Sequence, residues 1–348
     1  MADIGQPRWK EVEYSRNKII KAGKTIRKDD IPIQEIKEAV KVIDNWRSAH
    51  AYPLHVIYMR LRDMAASRSD IVVAERLKRL DSIINKLKRE PTMSLWEVQD
   101  LGGCRFIVPT MNEVYIFSKK YRNSRVRHRH VDTYDYISNP KSSGYRSLHL
   151  VYQFHSDTKE TYNKNMLIEL QFRTHLQHIW ATALETLGLF TKQALKAGQG
   201  DADIKRFFVL ISSLFALREG TPVAPGTIAD PKELVSEVEE INNRRHFLET
   251  LSAIKVAVDH ESGAQKDKKG YYILILNYNT RLLRIRYFKP SQADKANAVY
   301  SEIESTRAET KIDAVLVRVS SFQTLREAYP NYFLDIGEFI DKVKEYLA

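Results

Sequence analysis

The sequence predicts an α+β protein with two folded parts: a core over about residues 33–218 and a smaller β-rich α+β domain at 232–348. Three observations lead there. Apolar residues keep helical spacing up to about residue 90, glycine-entered apolar runs with strand character follow, and a second helix-and-hairpin pattern begins after residue 231. Between the two parts, Gly220-Thr-Pro-Val-Ala-Pro225 has linker chemistry, so 219–231 is expected to join them.

The elements follow in order. Residues 1–32 are polar and mixed in charge, as in a short helix or basic arm. A helix starts near Asp30 with Pro32 in its first turn and carries Ile33, Ile36, Val40, Ile43 and Trp46 on one face. A second follows Pro53 with Leu54, Ile57 and Leu61, and a third is expected over Ile71–Arg89, ending before Pro91. Gly102–Pro109 reads as a buried strand and 112–122 as a helix. Leu148–Phe154 and Met166–Phe172 read as strands joined by a polar hairpin around Asp157–Asn165, and His175–Leu187 returns to helical spacing. After the linker come a helix at 232–252 and strands Tyr271–Leu276 and Leu282–Phe288 about an Asn277–Arg281 turn. A helix at 291–307, a strand at 314–319 and a closing helix at 335–347 complete the chain. No internal repeat is visible.

Composition narrows the function. The chain has 348 residues, 43% hydrophobic and 28% charged, with no apolar run near membrane-span length and no signal-peptide core at its start. A cytoplasmic location is expected, with neither a membrane nor DNA as partner. The single cysteine, Cys104, excludes an internal disulfide and a cysteine zinc site, and its apolar run suits a buried thiol. The net charge of +11 points to an anionic partner. The basic residues concentrate at 119–130 and between Arg76 and Arg89.

Three segments carry chemistry: Asp100-Leu-Gly-Gly-Cys-Arg105, Asp135-Tyr-Ile-Ser-Asn-Pro-Lys-Ser-Ser-Gly-Tyr-Arg-Ser-Leu-His149, and Ile168-Glu-Leu-Gln-Phe-Arg-Thr174. Asp100 stands at the mouth of one apolar strand and Glu169 within another. A carboxylate there is costly unless it is paired or binds a cation. Two together would suit Mg²⁺ with phosphate completing its shell. Glu169 would equally serve as a general base, or pair with Arg105 or Arg173 as a structural ion pair. In the middle loop, Lys141 and Arg146 suit phosphates, and Tyr145 suits either a stacked base or plain packing.

These segments closely resemble the synthetase domain of the RelA/SpoT family. The family pattern joins a strand-opening Asp-Leu-x-Gly-x-Arg, a Tyr-Ile-x-x-Pro-Lys-x-x-Gly-Tyr-x-Ser-Leu-His loop and a Glu-x-Gln-x-Arg-Thr strand. A fourth element, Arg76-Leu-Lys78-Arg79-Leu-Asp-Ser82-Ile-Ile-Asn-Lys86, also matches, and the resemblance covers about residues 33–190. It implies a nucleotidyltransferase-type core, a mixed sheet flanked by helices, that moves the β,γ-pyrophosphate of ATP to a ribose hydroxyl. By the same resemblance Arg76 would stack on adenine, and Lys78, Arg79, Ser82, Lys86 and Arg105 would line the ATP site. Asp100 would bind Mg²⁺, and Glu169 would join it or deprotonate the acceptor. Lys141, Tyr145, Arg146, His149, Gln171 and Arg173 would line the acceptor side.

Departures from the pattern bear on the acceptor. Ser143 replaces the usual asparagine before Gly-Tyr, the helix Trp180-Ala-Thr-Ala-Leu-Glu-Thr186 departs from the family form, and no hydrolase domain precedes the core. These features look more like the toxic branch of small synthetases, which modifies the 3′ end of tRNA, than like enzymes acting on GDP or GTP. The domain order and Tyr329-Pro-Asn-Tyr332 further resemble CapRel-type fused toxin–antitoxins. There Tyr329 and Tyr332 would help block the ATP site until a phage protein, such as a capsid protein, releases it. Core packing is the simpler expectation for that tyrosine pair.

Overall fold

The computed structural model describes residues 9–191, 201–252, 257–260, 269–277, 280, 282–306, 312–333 and 336–347. The first eight residues of the expected arm and most of the expected 277–281 turn lie outside them.

Three helices open the chain: α1 (Arg16–Thr25), α2 (Ile33–Ala49) and α3 (Ala51–Met64). Ser15 caps α1 by accepting from the Lys18 amide. The expected apolar stripe of α3 is buried through Leu54, Ile57 and Leu61, whereas that of α2 is buried only in its second half, at Ile43 and Trp46: Ile36 and Val40 are half-buried and Ile33, in the first turn, is exposed.

The helix expected over Ile71–Arg89 divides into strand β1 (Val72–Leu77) and helix α4 (Leu80–Arg89). β1 is bonded on both edges, by β2 (Gly102–Val108) along its length and by β9 (Ile312–Val319) at Glu75 and Arg76. That tertiary pairing overrides the local helical spacing, and β-branched Val72 and Val73 suit a strand.

Helix α5 (Met111–Arg122) starts in a capping box between Thr110 and Glu113. Next comes β3 (Arg129–Asp135), a strand absent from the sequence reading. It is the outer strand of the sheet and none of its residues is fully buried, so it carries no apolar pattern to betray it. β4 (Leu148–Gln153) and β5 (Leu167–Thr174) form the expected antiparallel pair, and α6 (His175–Thr191) and α7 (Ala202–Arg218) follow.

The expected 232–252 helix breaks at His246, whose φ of 51° ends α8 (Pro231–Arg245) before α9 (Phe247–Ser252). β6 (Ala257–His260), β7 (Gly270–Asn277), β8 (Leu282–Phe288) and α10 (Ala293–Thr306) lead to β9. The chain closes with α11 (Phe322–Ala328), α12 (Pro330–Phe333) and α13 (Gly337–Leu347).

The described strands form one mixed sheet in the order β3-β4-β5-β2-β1-β9-β7-β8-β6. β2 and β5 run parallel, as do β6 and β8. One face of the N-terminal strands packs on α3 and α5 through Leu61, Phe106, Phe117, Leu150 and Phe172. The other side of the molecule is a larger cluster in which Trp180 and Phe208 of α6 and α7 meet Leu274, Val317 and Phe339. Alternation along β9 sends Val315 and Val317 into that cluster and Leu316 toward Tyr300 of α10. Cys104 is buried, as expected. Among the described residues, no helix is long and apolar enough to cross a membrane.

Candidate active site

β5 sets the site through its period of two. Ile168, Leu170 and Phe172 enter the core, which leaves Glu169, Gln171 and Arg173 together on the opposite face. β4 places His149 beside Gln171, and β2 places Gly103 beside Glu169.

These side chains close a ring of hydrogen bonds. Arg173 donates to the Tyr145 hydroxyl and to Gln171 Oε1, both at 2.6 Å. Gln171 Nε2 donates to Glu169 Oε2. His149 bridges the rest, with Nδ1 2.9 Å from Glu169 Oε1 and Nε2 2.9 Å from the Tyr145 hydroxyl. Arginine can only donate, so the tyrosine hydrogen is directed at Nε2. The imidazole hydrogen then sits on Nδ1 and is given to Glu169. Burial alone would raise the Glu169 pKa. The contacts with His149 and Gln171 outweigh it and hold the group below its usual range, with Asp100 opposing them. The ion pair considered for Glu169 with Arg105 or Arg173 does not form: Arg173 is linked to it through Gln171, and Arg105 turns elsewhere.

Asp100 precedes β2 and takes two ammonium groups, Lys78 Nζ at 2.6 Å and Lys86 Nζ at 3.1 Å. Lys78 leaves β1 and Lys86 sits two turns into α4, so the β1–α4 corner delivers both. Burial would raise the Asp100 pKa, but the two lysines drive it well below the carboxylate range. Lys141 completes the cationic rim, 4.1 Å above the Tyr136 ring. Burial lowers its pKa, Glu169 opposes the shift and Lys86 adds to it. Asp100 and Glu169 are near enough to act on each other's ionisation. Two ionised carboxylates fit a hard divalent cation whose shell is completed by phosphate rather than by a protein cage. No group of three or more His, Cys, Asp or Glu side chains able to hold a metal occurs among the described residues.

The remaining expected ATP-side residues meet the C-terminal segment. Arg105 is buried, donates to the Ala328 carbonyl at 2.8 Å and lies 5.2 Å from the Tyr329 ring. Its burial, with Arg76 nearby, lowers the guanidinium to about 10. His178 Nε2 holds the Glu327 carbonyl at 2.8 Å, so two carbonyls left open at the end of α11 are met by the core. Arg79 reaches the Tyr332 hydroxyl at 3.3 Å. Glu304 of α10 accepts from the Leu80 amide at 3.0 Å, supplying the cap that α4 lacks in its own sequence. Arg76 and Ser82 are half-buried on β1 and α4.

Arg146 stands apart from its expected acceptor role. It is 3% exposed, and its guanidinium donates to Ser212, Thr221 and the Pro222 carbonyl. It locks the loop onto α7 and the 219–231 segment. Gly144 turns the loop there at φ 80°, where a Cβ would also come within 3.0 Å of Ser212. Tyr145 is likewise tied at its hydroxyl, and Lys141 lies closer to the Tyr136 ring than to the Tyr145 ring, at 4.1 and 5.7 Å. Tyr134 stacks on Tyr136 at 5.9 Å and is held by Gln99 at 3.1 Å. Sequence reasoning passed over Tyr134, Tyr136, His178 and Glu304. Tyr136 lies inside a quoted motif and Tyr134 just ahead of it, whereas nothing local marks the last two.

Residues 75–188 match the model described as the region found in RelA / SpoT proteins. GTP pyrophosphokinase YjbM of Bacillus subtilis (strain 168) is 34% identical over 117 residues, 33% of this chain and 54% of that protein. GTP pyrophosphokinase YwaC of the same organism is 32% identical over 117 residues, 31% of this chain and 52% of that protein. The chain thus spans about half the length of the curated relatives it matches. Among solved structures, small alarmone synthetase 1 from Bacillus subtilis bound to its product pppGpp aligns with a TM-score of 0.42 and 23% identity, covering 49% of this chain and 89% of that one. The chain carries a RelA/SpoT-family domain over residues 75–188.

Proposed function

We propose that the chain is a pyrophosphokinase that transfers the β,γ-pyrophosphate of ATP to a ribose 3′-hydroxyl, and that the acceptor is the 3′ end of tRNA. The observation that carries this is Glu169, fixed by the His149–Gln171 ring beside Asp100 and faced by Lys78, Lys86 and Lys141. Three cations around two carboxylates suit a polyphosphate with a hydroxyl brought to it. The 3′-oxygen attacks the β-phosphorus, the bond to the AMP oxygen breaks in line, and the hydroxyl proton passes to Glu169. The depressed pKa makes Glu169 a weak base, so positioning and charge neutralisation carry the rate, as suits a loose transition state. A Mg²⁺ held by Asp100 and Glu169 would supply further neutralisation of the phosphate oxygens. Lys78, Arg79, Ser82, Lys86 and Arg105 would hold the phosphates, Arg76 the adenine, and Lys141 the acceptor phosphate.

The same contacts support an autoinhibited resting state. Tyr329 covers Arg105, Tyr332 takes Arg79, Glu304 takes the first amide of α4, and Asp100 holds Lys78 and Lys86. Tyr329, Tyr332 and Asp100 engage groups assigned to ATP above, and Glu304 engages the amide that opens the helix carrying Ser82 and Lys86. Resemblance to CapRel-type proteins points to a phage protein, such as a capsid protein, as the releasing partner in antiphage defence.

A second reading, (p)ppGpp synthesis from GDP or GTP, is favoured by the names of the relatives. The test is incubation with γ-labelled ATP and tRNA, GDP or GTP in parallel. Label on tRNA alone supports the first reading, and label on guanosine nucleotides alone replaces it with the second.

A further inference from the structure

On the face of the sheet opposite Glu169, α5 and the β3–β4 edge enclose a groove of about 410 Å³, within the size range of ligand sites. α5 presents Tyr115, Lys119, Arg122 and Asn123 to it, at i, i+4, i+7 and i+8 on one helical stripe. Leu148 and Leu150 form an apolar floor. Tyr115 is 39% exposed, and its hydroxyl is held by Asp135 at 3.2 Å and Ser138 at 3.2 Å, which fixes the ring. Asp135 also accepts from the Ile137 and Ser138 amides, so its charge is already engaged. The Lys119 and Arg122 side chains make no hydrogen bond or ion pair with a described residue. A fixed aromatic ring, an apolar floor and two uncommitted cations are the elements that take a base and its phosphate.

We infer that this groove binds single-stranded RNA just upstream of the acceptor 3′ end. This rests on the RNA-acceptor reading above. β3 is the outer strand, so a nucleic-acid strand in the groove can pass around a free edge. Exposed Arg125 and Arg129 border that edge. From β3 to β5 is two strand spacings, about 10 Å, so the far face and Glu169 lie within a few nucleotides. Tyr115 and the acceptor loop share Asp135, which places the groove and the Lys141 loop on one support.

The test is anisotropy of a fluorescein-labelled single-stranded RNA ending in a free 3′-CCA, with the full chain and no ATP. The Lys119→Glu/Arg122→Glu pair is expected to weaken binding at least tenfold and to reduce the slope of log K against log salt by about 1.4, two phosphate contacts on a single strand. Tyr115→Ala is expected to weaken it about tenfold with the salt slope unchanged. Lys120→Glu, exposed on the same helix but outside the groove, should change affinity less than twofold. Thermal unfolding confirms that each variant is folded. Equal losses in Lys120→Glu and the pair, wild-type affinity in the pair, or displacement of the RNA by millimolar GTP would each overturn the assignment. Protein that binds RNA through the groove yet transfers label to GDP or GTP and not to RNA supports the groove and contradicts the RNA-acceptor reading.

Discussion

The N-terminal and C-terminal strands are each joined by long ladders, but the joint between them is short. β2 pairs with β5 from Gly102↔Ile168 to Val108↔Thr174, and β7 pairs with β9 from Gly270↔Val319 to Asn277↔Ile312. β1 meets β9 only at Glu75↔Arg318 and Arg76↔Val317. The joint is also polar. Glu75 and Arg318 are 4% and 6% exposed, and His55 stands between them, 3.8 Å from Glu75 Oε1 and 2.7 Å from Arg318 through Nε2. Attachment of the C-terminal half therefore depends on the apolar cluster of α6 and α7 and on polar contacts to the candidate ATP-side residues. The cluster keeps the half in place. The polar contacts are the ones a ligand or partner can exchange, because water or phosphate satisfies the same donors.

The largest expected effect lies within the N-terminal strands. Glu169→Gln should reduce transfer about a thousandfold, inside the range for loss of a positioned base, with the melting temperature nearly unchanged. A loss below tenfold would remove Glu169 from the chemistry. At the joint, Arg318→Met removes the guanidinium that donates to His55 and should cost about 2 kcal/mol in urea unfolding. A cost under 1 kcal/mol would show that the apolar cluster alone holds the halves together. Among the exchangeable contacts, Glu304→Ala and Tyr332→Phe should each lower the ATP KM, up to about tenfold for Glu304, and Glu304→Ala should also cost about 1 kcal/mol of stability because it uncaps α4. Unchanged KM in both would refute the resting-state block. Removing the whole half is a poorer probe, because Phe207, Phe208 and Leu210 of α7 are buried in the shared cluster.

Two smaller effects sharpen the picture. The folded Asp100 pKa lies below the unfolded value near 3.9. Its ionised form thus contributes stability that is complete above about pH 4 and is lost as pH falls through the lower folded value. The stability gap between wild type and Asp100→Asn should narrow from pH 5 to pH 2.5, and a constant gap would contradict the Lys78–Asp100–Lys86 arrangement. Tyr329→Phe removes a buried hydroxyl that has no hydrogen-bond partner among the described residues, so stability should hold or rise by up to about 1 kcal/mol. A clear loss would mean that the hydroxyl is bonded.

How much of this was readable in advance follows from how local each signal is. Glu169, Gln171 and Arg173 share a face because a strand has a period of two, and their apolar neighbours announced it. Asp100 before two glycines marked the strand mouth. β1 was misread because its pairing partners, β2 and β9, are remote in sequence while its helical neighbour α4 is adjacent. Arg146 was misplaced because its direction depends on the φ of Gly144 and on Ser212, neither visible in the motif. Glu304 lies in an ordinary amphipathic helix, and only folding brings it to the Leu80 amide, 224 residues away.

The central claim is transfer of pyrophosphate rather than of a single phosphoryl group. It is tested most directly by following the adenosine product of labelled ATP during acceptor modification, using wild type and Glu304→Ala. The account predicts AMP, formed in equal amount with the labelled acceptor and abolished in Glu169→Gln. ADP as the product, or no acceptor-dependent product from either protein, would contradict it.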